Sequence, residues 1–256
     1  MKVGVVGLGL IGGSIFKSLT ALGYDVIAVS KSQKGQNIYA EKNALVGCEL
    51  IFVCSNMNNL INELDELEQY TTENTVVCDV SSLKGFVANL NYKFNFIPTH
   101  PMAGTEFSGY ENSFVGLFEG AKWVVTKDDI PTKLTQIIND LGAKLVIMAP
   151  EEHDKAVALI SHMPLVLSQA LFKTVEDNYS AKLLAASGFR DMTRLALSNE
   201  QMACDMVGMN SKNIQDAFLK LYSSIGELLK ENYPKQTSEI KQKRVQMYSD
   251  GKNVIK

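Results

Sequence analysis

Short apolar runs alternate along the chain with stretches whose apolar positions recur every three or four residues. The runs Val3 to Val6, Tyr24 to Val29, Leu50 to Cys54, Thr75 to Val80, Asn95 to Pro98, Lys122 to Thr126 and Lys144 to Met148 predict strands. Between them, Ile15, Leu19 and Leu22 predict one helix. Leu60, Leu64 and Leu67 within Met57 to Tyr70 predict a second, and Ile130 to Leu141 a third. Strand and helix in alternation predict an α/β fold, a doubly wound, mostly parallel sheet covered on both faces. From Pro150 onward only helical spacing recurs. Pro150-Glu151-Glu152 is a favourable helix start, with proline in the first turn and acids at the positive end of the dipole. The chain is therefore expected to divide into residues 1–149, built on the sheet, and residues 150–256, all helical.

In the second unit Ile214, Phe218, Leu221, Ile225 and Leu228 are spaced 4, 3, 4 and 3 residues apart. That seam fits either a partner helix from another subunit or the monomer's own core. A unit of roughly 100 residues made of helices buries its apolar faces poorly alone, which favours a homodimer.

Composition mainly excludes. With 46% apolar and 21% charged residues in 256, the chain has the make-up of a soluble globular protein, and its net charge of −3 offers no basic field to nucleic acid or an anionic membrane. Cys48, Cys54, Cys78 and Cys204 show no C-x-x-C pairing, so they read as buried reduced thiols, and no metal site is expected. The apolar start is too short for a signal segment and no apolar run approaches ~20 residues, so a cytoplasmic protein without a membrane partner is expected.

The first candidate chemistry is at the end of the first strand. Gly7, Gly9 and Gly12, with Leu10 and Ile11 between them, give G-x-G-x-x-G between a strand and a helix. The first glycine allows the turn, the second lets backbone approach a pyrophosphate, and the third lets helix and strand pack closely. This predicts a Rossmann-type dinucleotide site with phosphates at the helix N-terminus. An acid at the end of the second strand would bond the ribose of NAD; Ser30 and Lys31 stand there instead, with Lys34 behind. A hydroxyl and an ammonium suit a 2′-phosphate, so NADP is expected, with NAD as the alternative. Ser55, Asp79, Ser81, Ser82 and His100 each follow an apolar run and converge on the carboxyl rim of the sheet, where such folds bind ligands.

His100 precedes a glycine-rich polar segment, Pro101 to Gly120, that reads as a substrate loop. It is either a general base or a strand-end cap. His162, in Ser-His-Met-Pro, either faces the cleft where Pro164 disturbs the helix or is a satisfied helix histidine. His153, beside Asp154, reads as structural. In SGFRDMTR, Arg190 and Arg194 are four apart and share a helical face, with Asp191 able to hold one of them. They form either a carboxylate-binding site or a surface ion-pair cluster.

Taken in order, GLGLIGGS, DVSSLK, HPMAGTE, PEEHD, SHMP and SGFRDMTR closely resemble the prephenate/arogenate dehydrogenases of tyrosine biosynthesis, from Lys2 to about Tyr233. The resemblance implies a Rossmann domain joined to an all-helical dimerisation domain. It also implies oxidative decarboxylation of a small cyclohexadienyl acid, prephenate or arogenate, by NAD(P)+. Position by position it makes His100 the catalytic histidine and Ser82 the serine that supports it. Glu106, His162 and Arg194 become substrate-binding positions, with Asp191 beside the arginine. Ser30-Lys31 departs from the aspartate of NAD-using members and is similar to the NADP-using ones. Two other readings are a different two-domain hydroxyacid dehydrogenase and a non-catalytic NADP-binding sensor.

Overall fold

In the computed structural model, which describes residues 1–230 and 232–249, the dinucleotide-type sheet is present. Its strands are β1 (Lys2–Val6), β2 (Asp25–Val29), β3 (Ile38–Tyr39), β4 (Leu50–Val53), β5 (Val76–Asp79) and β6 (Asn95–Ile97). All pairings are parallel, in the order β3-β2-β1-β4-β5-β6. The order reverses between β1 and β4, which opens a crevice at their carboxyl ends.

Helices α1 (Leu10–Ala21) and α3 (Thr132–Asp140) cover one face and α2 (Met57–Leu67) the other. Alternate strand side chains serve the two layers: Val3, Val5 and Phe52 pack with α1 and α3, while Val6, Ile51 and Val53 pack with α2. That double cover is why the strands read as unbroken apolar runs. Each fully buried valine or leucine adds roughly 1.5–3 kcal/mol by leaving water.

The chain differs from expectation beyond β6. The later strands form a second sheet, in which β7 (Thr99–Pro101) runs antiparallel to β8 (Lys122–Val125) and β8 parallel to β9 (Lys144–Ile147). Pro98 separates the sheets, since it has no N–H for a ladder and only its carbonyl is used, by the Thr126 N–H at 3.1 Å. Trp123 of β8 meets Phe52 of β4 edge-on, with ring centroids 5.9 Å apart, so both sheets share one core.

Past β9 come α4 (Pro150–Val157), a π-helical turn at Ala158–His162, α5 (Met163–Lys173), α6 (Tyr179–Leu184), α7 (Ser187–Met192), α8 (Glu200–Met209), α9 (Ser211–Leu228) and α10 (Tyr233–Ser249). By length and composition alone, the continuous stretch Pro150–Lys173, 24 residues with an 18-residue window of mean hydropathy 1.4, is long and apolar enough to cross a membrane. Sequence alone did not show it, because Ser161, His162 and Ser168 interrupt the apolar run. Two of those residues find partners inside the protein: Asn210 donates to His162 Nδ1 and Ser168 Oγ accepts the Ala196 N–H at 3.0 Å. The seam of α9 is fully buried only at its start, and Leu221 and Leu228 are half-buried. Ile214 is buried and Phe218 half-buried, whereas Ile225 is 45% exposed. Leu183, Leu184, Leu197, Leu219 and Tyr222 add further exposed apolar surface to this unit.

Candidate active site

The crevice between β1 and β4 carries the glycine turn. Gly7 has φ +88°, a conformation that L side chains rarely adopt, and a Cβ on Gly12 would sit 2.0 Å from the Gly7 carbonyl oxygen. Gly9 faces open space, and α1 begins on it with neither a side-chain cap nor an acid in the first turn. The first-turn N–H groups therefore face the crevice unopposed, the arrangement a pyrophosphate needs. Gly9, Leu10, Ile11 and Gly12 line a cleft of about 490 Å³, as does Ser55 after β4. Ser30 and Lys31 lie outside its walls, at the end of β2; the Ser30 hydroxyl accepts the Gln33 N–H at 3.1 Å, and Lys31 is exposed.

His100 lies on the same cleft, within β7 rather than after a strand. Its Nδ1 is 2.9 Å from Nε2 of His153, and Nδ1 of His153 is 2.8 Å from Oδ1 of Asp154. Asp154 in turn accepts backbone N–H groups from Lys84 and Gly85, both at 2.8 Å. His153, expected to be structural, is thus bonded to both His100 and Asp154. It spans the joint between the sheet and α4. A histidine-aspartate pair in the first turns of a helix that follows the last strand was the available signal.

Behind His100 lies a second connection that sequence missed. Lys84 is fully buried and ion-paired with the equally buried Asp79, and its Nζ donates to the Thr99 carbonyl at 2.6 Å. Asp79 also accepts the Thr99 N–H at 3.0 Å, so the residue before His100 is held at both backbone groups. Burial pushes the His100 pKa well below the ordinary imidazole value, helped by the neighbouring His153, Lys84 and His162. Burial tends to raise the Asp154 pKa, but the hydrogen bonds from His153, Lys84 and Gly85 prevail and hold it below the usual carboxylate range.

Other expected residues fall differently. Ser82 lines the cleft, but its hydroxyl lies 3.4 Å from Met57 Sδ, and the imidazole is held by His153 instead. Glu106 extends from the loop into the cleft, and Arg194 reaches it from the helical side at 3.8 Å, both partly exposed. Arg190 and Arg194 do not share a face: α7 stops at Met192, and Arg194 opens a separate 3-10 turn. Asp191 pairs loosely with Arg190 at 3.8 Å, with both side chains at least 74% exposed, away from the cleft.

His162 is buried in the π turn and does not line the cleft walls. Asn210 donates to its Nδ1 at 3.1 Å, so the proton sits on Nε2, which is buried with no partner. Burial pushes its pKa down to about 4. Protonation of this group favours the unfolded chain, so its contribution is complete above about pH 6.5 and is lost as pH falls toward 4. We expect wild type to lose about 2 kcal/mol from this residue between pH 7 and pH 5, and His162→Gln to lose correspondingly less. Urea unfolding at the two pH values checks it.

Known proteins match this arrangement. The model for "Prephenate dehydrogenase, nucleotide-binding domain" matches residues 17–147, and that for "Prephenate dehydrogenase, dimerization domain" matches residues 149–241. The chain belongs to the prephenate dehydrogenase family. It is a dehydrogenase that uses a nicotinamide dinucleotide. A prephenate dehydrogenase of Lactococcus lactis subsp. cremoris is 28% identical over 253 residues, covering 86% of this chain and 71% of the relative. A Synechocystis arogenate dehydrogenase structure is similar with TM-score 0.76 and 28% identity, covering 98% of each chain. A prephenate dehydrogenase of A. aeolicus, solved with hydroxyphenyl propionate and NAD+, gives TM-score 0.85 at 26% identity, covering 96% of this chain and 98% of that one.

Proposed function

We propose that this dehydrogenase carries out the oxidative decarboxylation of prephenate or arogenate in tyrosine biosynthesis, with NADP+ as the preferred acceptor. The observation that carries the reading is His100, placed on one cleft with the glycine turn and held through Nδ1 so that Nε2 is left to a substrate. The bound cofactor supplies the hydride acceptor. His100 Nε2 takes the proton of the ring hydroxyl, and the carbon that bore it becomes a carbonyl conjugated with the ring. That carbonyl accepts the electrons released with carbon dioxide, and aromatisation makes the loss irreversible. Arg194 anchors a substrate carboxylate, for which a guanidinium is the suited partner. Glu106, at 3.8 Å from it, limits how the arginine can turn and meets the side chain that differs between the two substrates. The Nε2–H of His162 is unpaired but buried off the cleft walls, so His162 takes no part in the proposed substrate contacts. Ser82 borders the reacting atoms, while Asp191, paired with Arg190 away from the cleft, makes no substrate contact.

Preference for NADP is supported by Ser30 and Lys31, where a carboxylate would repel the 2′-phosphate. Ser30→Asp is expected to move the NADP/NAD ratio of kcat/KM toward NAD by about tenfold, and an unchanged ratio contradicts the assignment. The exposed apolar residues of the second unit, Leu183, Leu184, Leu197 and Leu219 among them, support a homodimer built through residues 150–256, with residues 1–149 carrying the cofactor. Steady-state kinetics with prephenate and arogenate, each against NAD+ and NADP+, tests the whole reading; turnover of neither acid rejects it.

A further inference from the structure

The hydrogens between His100 and Asp154 follow from the groups that fix them. The Asp154 carboxylate only accepts: Oδ1 takes the Lys84 N–H and faces His153 Nδ1, and Oδ2 takes the Gly85 N–H. His153 Nδ1 must therefore carry a proton. In a neutral imidazole that leaves His153 Nε2 as an acceptor, and His100 Nδ1, 2.9 Å away, must donate to it. His100 Nε2 is then a lone pair on the cleft. Two imidazoles in series, end to end with a carboxylate, have each proton placed for transfer in one direction.

We propose that His153 is a positioning residue and second proton carrier, which sets the tautomer of His100 and takes over its proton during substrate oxidation. The inference rests on the dehydrogenase reading. The substrate O–H bond breaks as N–H forms at His100 Nε2, while the hydride leaves its carbon with the electron pair for the cofactor. The N–H at His100 Nδ1 breaks as N–H forms at His153 Nε2. His100 ends neutral in the opposite tautomer, and the positive charge rests on His153 against the Asp154 anion. The transfer reverses once the product leaves, returning the proton to the cleft.

The surroundings favour that final position. His100 is flanked by the Lys84 ammonium, itself neutralised by Asp79, and by His162, so charge retained there is poorly compensated. The groups facing His153 are Asp154 on its own helix, whose carboxylate also takes the Lys84 backbone N–H, His100 on β7 and His162 on the π turn. Only Asp154 among these is an anion in direct contact. Charge on the relay is therefore stabilised one imidazole away from the substrate, where it does not oppose the developing dienone.

Two measurements decide it. In the substrate-free wild-type protein, ¹⁵N NMR of labelled histidines is expected to show His100 and His153 both protonated at Nδ1. Nε2–H on His100 overturns the proposal. In the full-length chain, His153→Gln keeps an acceptor for His100 but cannot hold a proton. Its kcat is expected to fall about 10²-fold, the low end for losing a proton-transfer partner, with the acid limb of the kcat profile moved to lower pH and cofactor KM unchanged. Wild-type kcat and an unmoved acid limb in this variant overturn the transfer. Failure of the dehydrogenase reading is distinguishable, because wild type would then turn over neither acid; that removes the transfer step while the NMR result still decides the tautomers.

Discussion

His100→Asn is expected to lower turnover by about 10²–10⁴, the range for loss of a general base, while leaving cofactor affinity near wild type. The separation follows from placement. The glycine turn that holds the dinucleotide belongs to β1 and α1, whereas His100 belongs to β7 of the other sheet, and the two meet only across the cleft. The pH profile of the wild type should show the same group. Activity requires neutral His100, whose pKa is pushed well below the ordinary value by burial, so kcat/KM should hold steady as pH falls through about 6.5 and decline only at lower pH. In His100→Asn that acid limb should disappear. Turnover kinetics across pH check both, and a wild-type turnover in the variant removes His100 from the mechanism.

Lys84→Met is expected to destabilise the fold more than any change at the cleft. Lys84 and Asp79 are an ion pair at zero exposure, and removing the cation leaves an uncompensated buried carboxylate, a loss of about 3–5 kcal/mol. For a chain of this size that corresponds to a melting temperature lower by roughly 10 °C. The double variant Asp79→Asn/Lys84→Met should recover part of the loss, since no charge is then stranded, although the Thr99 N–H keeps a weaker acceptor. Thermal unfolding of the three proteins checks this, and a double variant as unstable as the single one contradicts the charge argument. Because Lys84 also fixes the Thr99 carbonyl and, through its backbone, Asp154, lost activity at permissive temperature is expected alongside lost stability.

What sequence could and could not show follows from the physics of each residue. The strands of the main sheet were legible because both their faces are covered, which makes them apolar throughout. β3 has only two residues, and β7 consists of Thr99, His100 and Pro101, so neither has an apolar pattern to read. The glycine turn was legible because backbone geometry forbids side chains at Gly7 and Gly12. The neighbours of His100 were not: His153 is 53 residues away, and a helix histidine next to an aspartate looks like a local pair. Lys84 was passed over because lysine is rarely buried, and only the three-dimensional proximity of Asp79 makes its burial tolerable. The shared face expected for Arg190 and Arg194 failed because helical spacing means nothing once the helix ends at Met192. Ser82 was placed at the right rim, but which atom its hydroxyl meets depends on a rotamer that no sequence pattern fixes.

The proposed reaction couples oxidation of a cyclohexadienyl acid to loss of its carboxylate in one cleft. The most direct test is a single assay that follows carbon dioxide and reduced nicotinamide together, with prephenate and arogenate in turn. The two products are expected in equal amounts with at least one of these acids, and both are expected to fall together in His100→Asn. Reduced cofactor without carbon dioxide, or neither product from either acid, would contradict it.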